Sequence, residues 1–179
     1  MSTETSDVKT DKPESTTKEA INENIERLNN AHRTVNKYAI GSMAVGLIPF
    51  SYLDFSALST IQIKMLRHLT KQYDVEFSKE TVRSLIASLF GSAVSVTAAA
   101  SLAKLVPVVG QVSGMISMAV LGGTGTYAVG KVFIEHFESG GTLLNFDPEK
   151  MKEKFQALLE EGKQFVSATA AKIKAKVKE

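Results

Sequence analysis

The sequence predicts an all-α protein: a helical bundle built around a central apolar helical hairpin at about residues 79–137, with amphipathic helices at both ends. Residues 84–130 contain a single charge, Lys104, and each half of this stretch is long enough as a helix to cross about 30 Å of hydrocarbon. Outside the stretch, apolar side chains recur every three or four residues, which is the spacing of amphipathic helices. These two observations decide the fold class.

The composition excludes several classes of function. The chain has 179 residues, with 21 basic and 19 acidic side chains and a net charge of +2. These charges are spread along the sequence, whereas a nucleic-acid-binding protein needs a basic face or stripe, so we expect no nucleic-acid partner. Cysteine is missing from the sequence, which excludes disulfides, thiolate metal sites and a cysteine nucleophile.

Residues 1–14 are polar and predict a disordered tail, because they offer little apolar surface to bury. A helical domain is predicted over 15–146, starting at the capping-box pair Thr16 and Glu19. Its first helix carries an apolar seam that predicts packing on a partner helix or on the bundle. The seam consists of Ile21, Ile25, Leu28, His32, Val35 and Ala39. A packing role for His32 is preferred over a pH sensor or a ligand.

Residues 38–50 are free of charge but too short for a complete span, so they predict a buried or re-entrant segment that Pro49 ends. Asp54 is expected to cap the next helix, whose apolar face extends from Leu58 to Tyr73. A buried functional carboxylate is the alternative role for Asp54.

Ser78 predicts the start of the helix that leads into the apolar hairpin, residues 84–130. Small residues recur there at four-residue spacing, which predicts close helix packing either in lipid or in a dense core. They are Gly91, Ser95, Ala99, Gly110, Gly114, Gly122, Thr126 and Gly130. The two hairpin helices are expected to join near Pro107 and Gly110.

The final part of the chain, residues 147–179, predicts an amphipathic basic C-terminal helix. Gly140 and Gly141 break the preceding helix, and Asp147 followed by Pro148 is a strong helix start. Four lysines are predicted to lie at an anionic membrane surface. They are Lys172, Lys174, Lys176 and Lys178. The alternative is a solvated face of the bundle.

Patterns typical of catalysis do not occur at a convincing spacing. Residues 125–132 imitate a phosphate-binding loop, but Val132 replaces the Ser or Thr that binds Mg²⁺, and the surrounding pattern is helical. The three histidines are far apart in the sequence. We therefore predict no catalytic, cofactor-binding or metal-binding residues, and no enzymatic activity.

Short motifs between residues 36 and 142 carry a family resemblance. They are Leu47-Ile-Pro49-Phe50, Asp54, Gln62-Ile-Lys-Met-Leu66, Leu105-Val-Pro107-Val-Val-Gly110, and Thr126-Tyr-Ala-Val-Gly130 continuing to Phe137-Glu-Ser-Gly140. With them the chain resembles a bacterial domain family of unknown function, family 697. The resemblance implies a helical, membrane-associated module that is often fused or genetically linked to Era-like GTPases. Because this chain shows no GTPase domain, the implied GTPase would act in trans.

Together these observations predict a non-enzymatic, membrane-associated interaction or anchoring module that works with a GTPase or another partner. The expected location is the bacterial cytoplasmic (inner) membrane. The positive-inside tendency then places Lys79, Arg83 and Lys131 on the cytoplasmic side with both termini. The expected partners are the lipid bilayer, a GTPase and further copies of the chain. The alternative is a soluble cytoplasmic helical bundle that acts as a scaffold, or that inserts its hairpin on triggering as pore-forming domains do.

Overall fold

The computed structural model describes residues 13–46, 55–93 and 111–177, and these residues form five helices and no strand. The helices are α1 (Pro13–Gly46), α2 (Phe55–Gln72), α3 (Lys79–Ala93), α4 (Gln111–Glu138) and α5 (Lys152–Val177). The predicted all-α fold class and helical bundle are confirmed.

Helix α4 lies at the centre of the bundle, and all its residues from 122 to 130 are buried. On one side it is covered by α1. Val35 of α1 lies against Gly130, and Ser42 lies against Gly122, so the two helices run antiparallel. The chain therefore covers its most apolar described helix with a helix of its own.

Helix α5 covers a second side of α4, also in the antiparallel direction. Gly162 lies against Tyr127, and Val166 lies against Gly123. The rings of Phe165 and Tyr127 stack with their centroids 5.1 Å apart. Helices α1 and α5 thus enclose α4 between them.

Helices α2 and α3 complete the bundle: α2 packs on α1 and α4, and α3 packs on α2 and α5. Phe90 of α3 meets Phe155 of α5 edge to face, at 5.2 Å between centroids, and also lies against Gly125 of α4. The largest fully buried side chains are Phe133, Phe155, Met65, Leu66, Leu69 and Leu89. Among the described residues, the two arms of the predicted hairpin, α3 and α4, approach each other where Phe90 lies against Gly125, whereas the main partners of α4 are α1 and α5.

Local signals start or end α3, α4 and α5 close to the predicted positions. Helix α1 instead begins at Pro13, so Thr16 and Glu19 lie inside it and residues 13 and 14 of the predicted tail are helical. The Ser78 Oγ accepts a hydrogen bond from the Thr81 amide at 3.2 Å, as an N-cap does. Gly140 has a φ of +80° directly after α4, a conformation that favours glycine at a helix end. Asp147 Oδ1 accepts from the amides of residues 149 and 150 in the turn that precedes α5.

The apolar seam of α1 is only partly covered. Val35 and Ala39 are buried, but Ile21 is 51% exposed and Ile25 is 53% exposed. The reason is the length of the partner: Arg27 pairs with Glu138, at 3.6 Å between Nη2 and Oε2, and α4 ends at that residue. The first turns of α1 therefore extend beyond the end of α4, and the predicted seam packs only from Leu28 onwards.

None of the helices in the described ranges is both long and apolar enough to cross a membrane. The predicted hairpin connection near Pro107 lies outside the described residues, as do residues 1–12 of the predicted tail and Asp54 with its predicted cap. Residues 38–46 of the predicted buried or re-entrant segment belong to α1, which ends at Gly46. Residues 47–50 lie outside the described residues.

Candidate functional site

A close helix–helix contact joins α1 to α4. A Cβ atom placed on Gly130 would lie 2.5 Å from Val35 Cγ2 and 2.8 Å from Val35 Cγ1, which is too near for any side chain larger than hydrogen. A Cβ on Gly122 would lie 3.2 Å from the Ser42 carbonyl oxygen. Because Val35 is β-branched and held in one rotamer on its helix, it cannot easily turn away. Gly130 therefore sets the distance between the two backbones.

Thr126 lies between these glycines on the same face of α4 and makes a buried hydrogen bond to α1. Its Oγ1 is 2.9 Å from Ser42 Oγ, and Ser42 Oγ donates to the carbonyl oxygen of Tyr38 at 2.9 Å. Thr126 is thus the donor to Ser42. The predicted spacing of Gly122, Thr126 and Gly130 corresponds in the structure to the face of α4 that meets α1.

The remaining predicted packing residues have other surroundings. Gly91 is exposed, and no described atom outside its own helix lies within 4 Å of a Cβ placed there. Gly114 belongs to α4, but its surroundings lie outside the description. Ser95, Ala99 and Gly110 lie outside the described residues altogether. Gly123 is a close-packing residue that the four-residue spacing did not predict. A Cβ placed on it would lie 2.8 Å from Met43 Cγ.

A groove of about 550 Å³ opens on the side of α4 between α1 and α5; we name it the α1–α4–α5 groove. Its apolar lining consists of Leu28, Ile134 and Leu158, and its polar lining consists of His32, Lys131, Glu135, Glu138, Ser139 and Glu161. Three carboxylates and one lysine therefore line the groove, and Arg27 and Lys154 form ion pairs with two of these carboxylates.

A network at one end of the groove holds Glu138 in place. Tyr73, the residue after the end of α2, donates its hydroxyl proton to Glu138 Oε1 at 2.6 Å, and Arg27 of α1 approaches Oε2. The Arg27 guanidinium also lies over the Tyr73 ring, 5.1 Å from its centroid. Burial and the Glu138 carboxylate raise the pKa of Tyr73, so that its hydroxyl remains a donor.

A matching pair holds Glu161 further along the groove. Tyr127 donates its hydroxyl proton to Glu161 Oε1 at 2.5 Å, and burial together with that carboxylate raises the pKa of Tyr127. Lys131 lies over the Tyr127 ring, 5.3 Å from its centroid. Glu135 pairs with Lys154 at 3.0 Å. Neither tyrosine–glutamate pair could be predicted from the sequence, because the two members of each pair lie far apart along the chain.

His32 is half-buried in the wall of the groove. Burial lowers its pKa, and the positive charge of Lys131 lowers it further, although Glu138 and Glu161 act in the opposite direction. Its Nδ1 is buried without a hydrogen-bond partner among the described residues. His32 is thus half-buried, as the predicted packing role requires. The described residues provide no hydrogen-bond partner for its Nδ1.

Tyrosine hydroxyls hold two of the carboxylates of the groove. Glu138 and Glu161 are engaged by tyrosine hydroxyls, and no cluster of three or more metal-ligating side chains occurs within the described ranges. The lining combines charged side chains with the aliphatic side chains of Leu28, Ile134 and Leu158, as protein-binding surfaces do.

The segment after α4 is held by His136. Its Nε2 lies 2.9 Å from the Thr142 carbonyl oxygen and 3.0 Å from Asn145 Oδ1, both of which are acceptors, so Nε2 carries the proton. Asn145 Oδ1 also accepts from the Thr142 amide at 2.7 Å. This network fixes the turn that returns the chain to α5.

Of the residues that carry the family resemblance, Gln62 is described and buried at 3% exposure, whereas Pro49, Asp54 and Pro107 lie outside the described residues. Of the predicted membrane-surface lysines, Lys172 is exposed. The side chains of Lys174, Lys176 and Lys178 lie outside the description.

The imitation of a phosphate loop at residues 125–132 lies inside α4, and most of it is buried. Amides within a helix are already bonded to the preceding turn, so they cannot surround a phosphate as an open loop does. The helical interpretation of this stretch agrees with the structure.

Comparison with known families gives a match over residues 14–164 to the family described as Domain of unknown function (DUF697). The chain belongs to this family. The match covers the helices from α1 into α5, including the whole α1–α4–α5 groove. It extends beyond the resemblance at residues 36–142 in both directions.

A relative of this DUF697 chain is the magnetosome membrane protein 22 of Magnetospirillum gryphiswaldense, which is 37% identical over 150 residues. The alignment covers 82% of this chain and 75% of the relative. No solved structure matches the chain.

Proposed function

We propose that this DUF697 protein is a non-enzymatic module that associates with the bacterial cytoplasmic membrane and holds a protein partner there. The observation that carries the proposal is the 37% identity to a protein named as a membrane protein of the magnetosome. The end of α5 supports it, since Lys172 is exposed and the neighbouring Ile173 is 49% exposed. Further lysines follow at 174, 176 and 178, a composition that suits an anionic lipid surface.

Vesicle co-sedimentation tests the membrane part. We expect binding to vesicles that contain phosphatidylglycerol and weak binding to vesicles of phosphatidylcholine alone. The double variant Lys172→Gln/Lys174→Gln removes about 2 kcal/mol of attraction, which weakens partitioning about thirtyfold. Lys64→Gln/Lys71→Gln is the matched control, because both lysines are exposed on α2. Absence of wild-type binding to anionic vesicles at low salt contradicts membrane association, and equal weakening by the control contradicts the role of α5.

The α1–α4–α5 groove supports the partner part of the proposal, with a GTPase as the first candidate. Immobilised protein is expected to retain a GTPase from a membrane extract. The amount retained should differ between an extract with GDP and an extract with a non-hydrolysable GTP analogue. Glu135→Lys reverses a charge at the groove and is expected to reduce retention, whereas Glu153→Lys changes an exposed α5 residue that does not line the groove. If no GTPase is retained, or if both variants behave like wild type, this part of the proposal is wrong.

A second candidate function is a bundle that keeps its hairpin within its own core and acts as a scaffold, or that inserts the hairpin on triggering. The burial of α4 between α1 and α5 favours it. Hydrogen exchange with and without anionic vesicles separates the candidates. Slow exchange in residues 111–138 that vesicles leave unchanged supports a scaffold, and a vesicle-dependent change in those residues supports insertion.

A further inference from the structure

A cavity of about 340 Å³ opens between α2 and α3, apart from the α1–α4–α5 groove. Most of its lining is apolar, with Leu58 and Ile63 from α2 and Ile86 and Phe90 from α3. Its volume lies near the lower limit of small-molecule sites, which occupy about 300–1,000 Å³. An apolar cavity of this volume has room for a single short alkyl chain.

Gln62 contributes a polar group to this otherwise apolar lining. The residue is 3% exposed, and its Nε2 is buried without an acceptor among the described residues. A buried donor without an acceptor is unfavourable, because it has lost its hydrogen bonds to water. Because Gln62 lines the cavity, a half-turn of its amide group would bring Nε2 to the cavity surface. A ligand with an oxygen acceptor would then remove this cost, whereas a pure hydrocarbon would not.

Arg83 adds a cation to the same cavity. It lines the cavity and is exposed to solvent, and no ion pair holds it within the described residues. A guanidinium in this position can bind the two oxygens of a phosphate or carboxylate at once. The cavity therefore combines an apolar wall, a buried amide donor and an exposed cation.

We propose that this cavity binds one acyl chain of an anionic glycerophospholipid. The chain contacts the apolar lining, and the phosphate pairs with Arg83. The ester carbonyl oxygen accepts from Gln62 Nε2 after the amide group has turned towards the cavity. A glycerophospholipid carries its ester carbonyl a few bonds from its phosphate, whereas a free fatty acid has acceptor oxygens only at its charged end. The inference rests on the proposed membrane association for its supply of lipid, but binding to the cavity does not require a bilayer.

Calorimetric titration with a short-chain lipid below its critical micelle concentration tests the cavity without a membrane. We expect dihexanoyl phosphatidylglycerol to bind more tightly than decanoate. Arg83→Gln is expected to weaken binding about tenfold or more, whereas Lys79→Gln, one turn earlier on α3 and outside the lining, leaves it unchanged. Ala87→Leu places a larger side chain at the lining of the cavity and is expected to abolish binding.

Gln62→Met distinguishes a role of Gln62 in lipid binding from a purely structural role. It removes the buried donor at nearly constant volume, so we expect lower lipid affinity together with an unchanged or higher melting temperature of the lipid-free protein. A lower melting temperature with unchanged lipid affinity contradicts the role of Gln62.

Three outcomes overturn the assignment of the cavity. The first is failure of the short-chain lipid to bind wild-type protein, even where vesicles bind. The second is equal affinity for decanoate and the phospholipid. The third is a dimer that Ala87→Leu abolishes without any lipid uptake, which would assign the cavity to a second copy. Lipid binding to the cavity combined with failure of vesicle binding contradicts the proposed membrane association and leaves the cavity site standing.

Discussion

Gly130→Ala probes the contact that brings α1 and α4 together. The new Cβ would lie 2.5 Å and 2.8 Å from the two γ-carbons of Val35 and 3.1 Å from Met65 Cε. Val35 and Met65 are both fully buried, so the backbones must separate or the side chains must leave their rotamers. Overpacking of this kind costs about 1–3 kcal/mol, whereas exchanging glycine for alanine within a helix contributes about 1 kcal/mol in the opposite direction.

Gly41→Ala supplies the matched control. Gly41 lies on the exposed side of α1, and no described atom outside its own helix lies within 4 Å of a Cβ placed there. The Gly41→Ala variant is therefore stabilised by the higher helix propensity of alanine, and its new Cβ causes no overpacking. We expect Gly41→Ala to stabilise the protein by about 0.5–1 kcal/mol. Gly91→Ala is expected to behave in the same way, since its Cβ also meets nothing in the described residues.

The difference between Gly130→Ala and Gly41→Ala isolates the overpacking, about 1–3 kcal/mol in the free energy of unfolding. Thermal unfolding measures it, because a protein of this size shifts its melting temperature by about 2–4 °C per kcal/mol. Val35→Ala in the Gly130→Ala background tests the mechanism: the smaller side chain makes room for the new Cβ, so the two changes together should cost less than their sum. If Gly130→Ala is as stable as Gly41→Ala, or the costs add, the close contact does not limit the approach of the helices.

Three further predictions concern the polar groups. Asn145→Ala removes an acceptor of the His136 ring and the Thr142 amide, and we expect it to lower the free energy of unfolding in urea by about 0.5–1.5 kcal/mol. Asn145→Asp should retain most of this stability, and equal loss in both variants would argue against the hydrogen bonds. The pKa of Tyr127 is raised in the folded protein, so its pairing with Glu161 stabilises the protein fully below pH 10 and loses effect as the pH rises further. Tyr127→Phe should therefore flatten the decline in melting temperature at alkaline pH. Parallel curves of melting temperature against pH for the variant and the wild type would contradict this. The pKa of His32 is lowered by burial and a neighbouring lysine, so the stability that its neutral form contributes is intact above pH 6.5 and is lost as the pH falls. His32→Gln should therefore reduce the loss of melting temperature at acid pH. An unchanged dependence on pH would show that other groups cause that loss.

The helix boundaries could be predicted because the signals that set them are local. Ser78 caps a helix through the amide of Thr81, only three residues away, and Gly140 provides the positive φ that a helix end requires. The four-residue spacing of Gly122, Thr126 and Gly130 likewise indicated one face of a helix before any partner was known.

The partners of that face could not be predicted. The same small-residue spacing included Gly91, whose Cβ position is open in the described structure, because a periodic pattern shows which residues share a face but not what lies opposite. The pairs Tyr127–Glu161 and Tyr73–Glu138 span 34 and 65 residues. Only the arrangement of the helices brings such side chains together.

The sequence by itself determined that this protein is helical and that one long apolar segment lies at its centre, since spacing, caps and hydropathy are properties of neighbouring residues. The tertiary structure decided what surrounds that segment. Helix α4 is covered by α1 and α5 because its glycines admit their backbones closely, as Gly130 does for Val35. It also decided that Ile25 is exposed and Gln62 buried, because the burial of a side chain depends on where the neighbouring helices end and not on the residue itself.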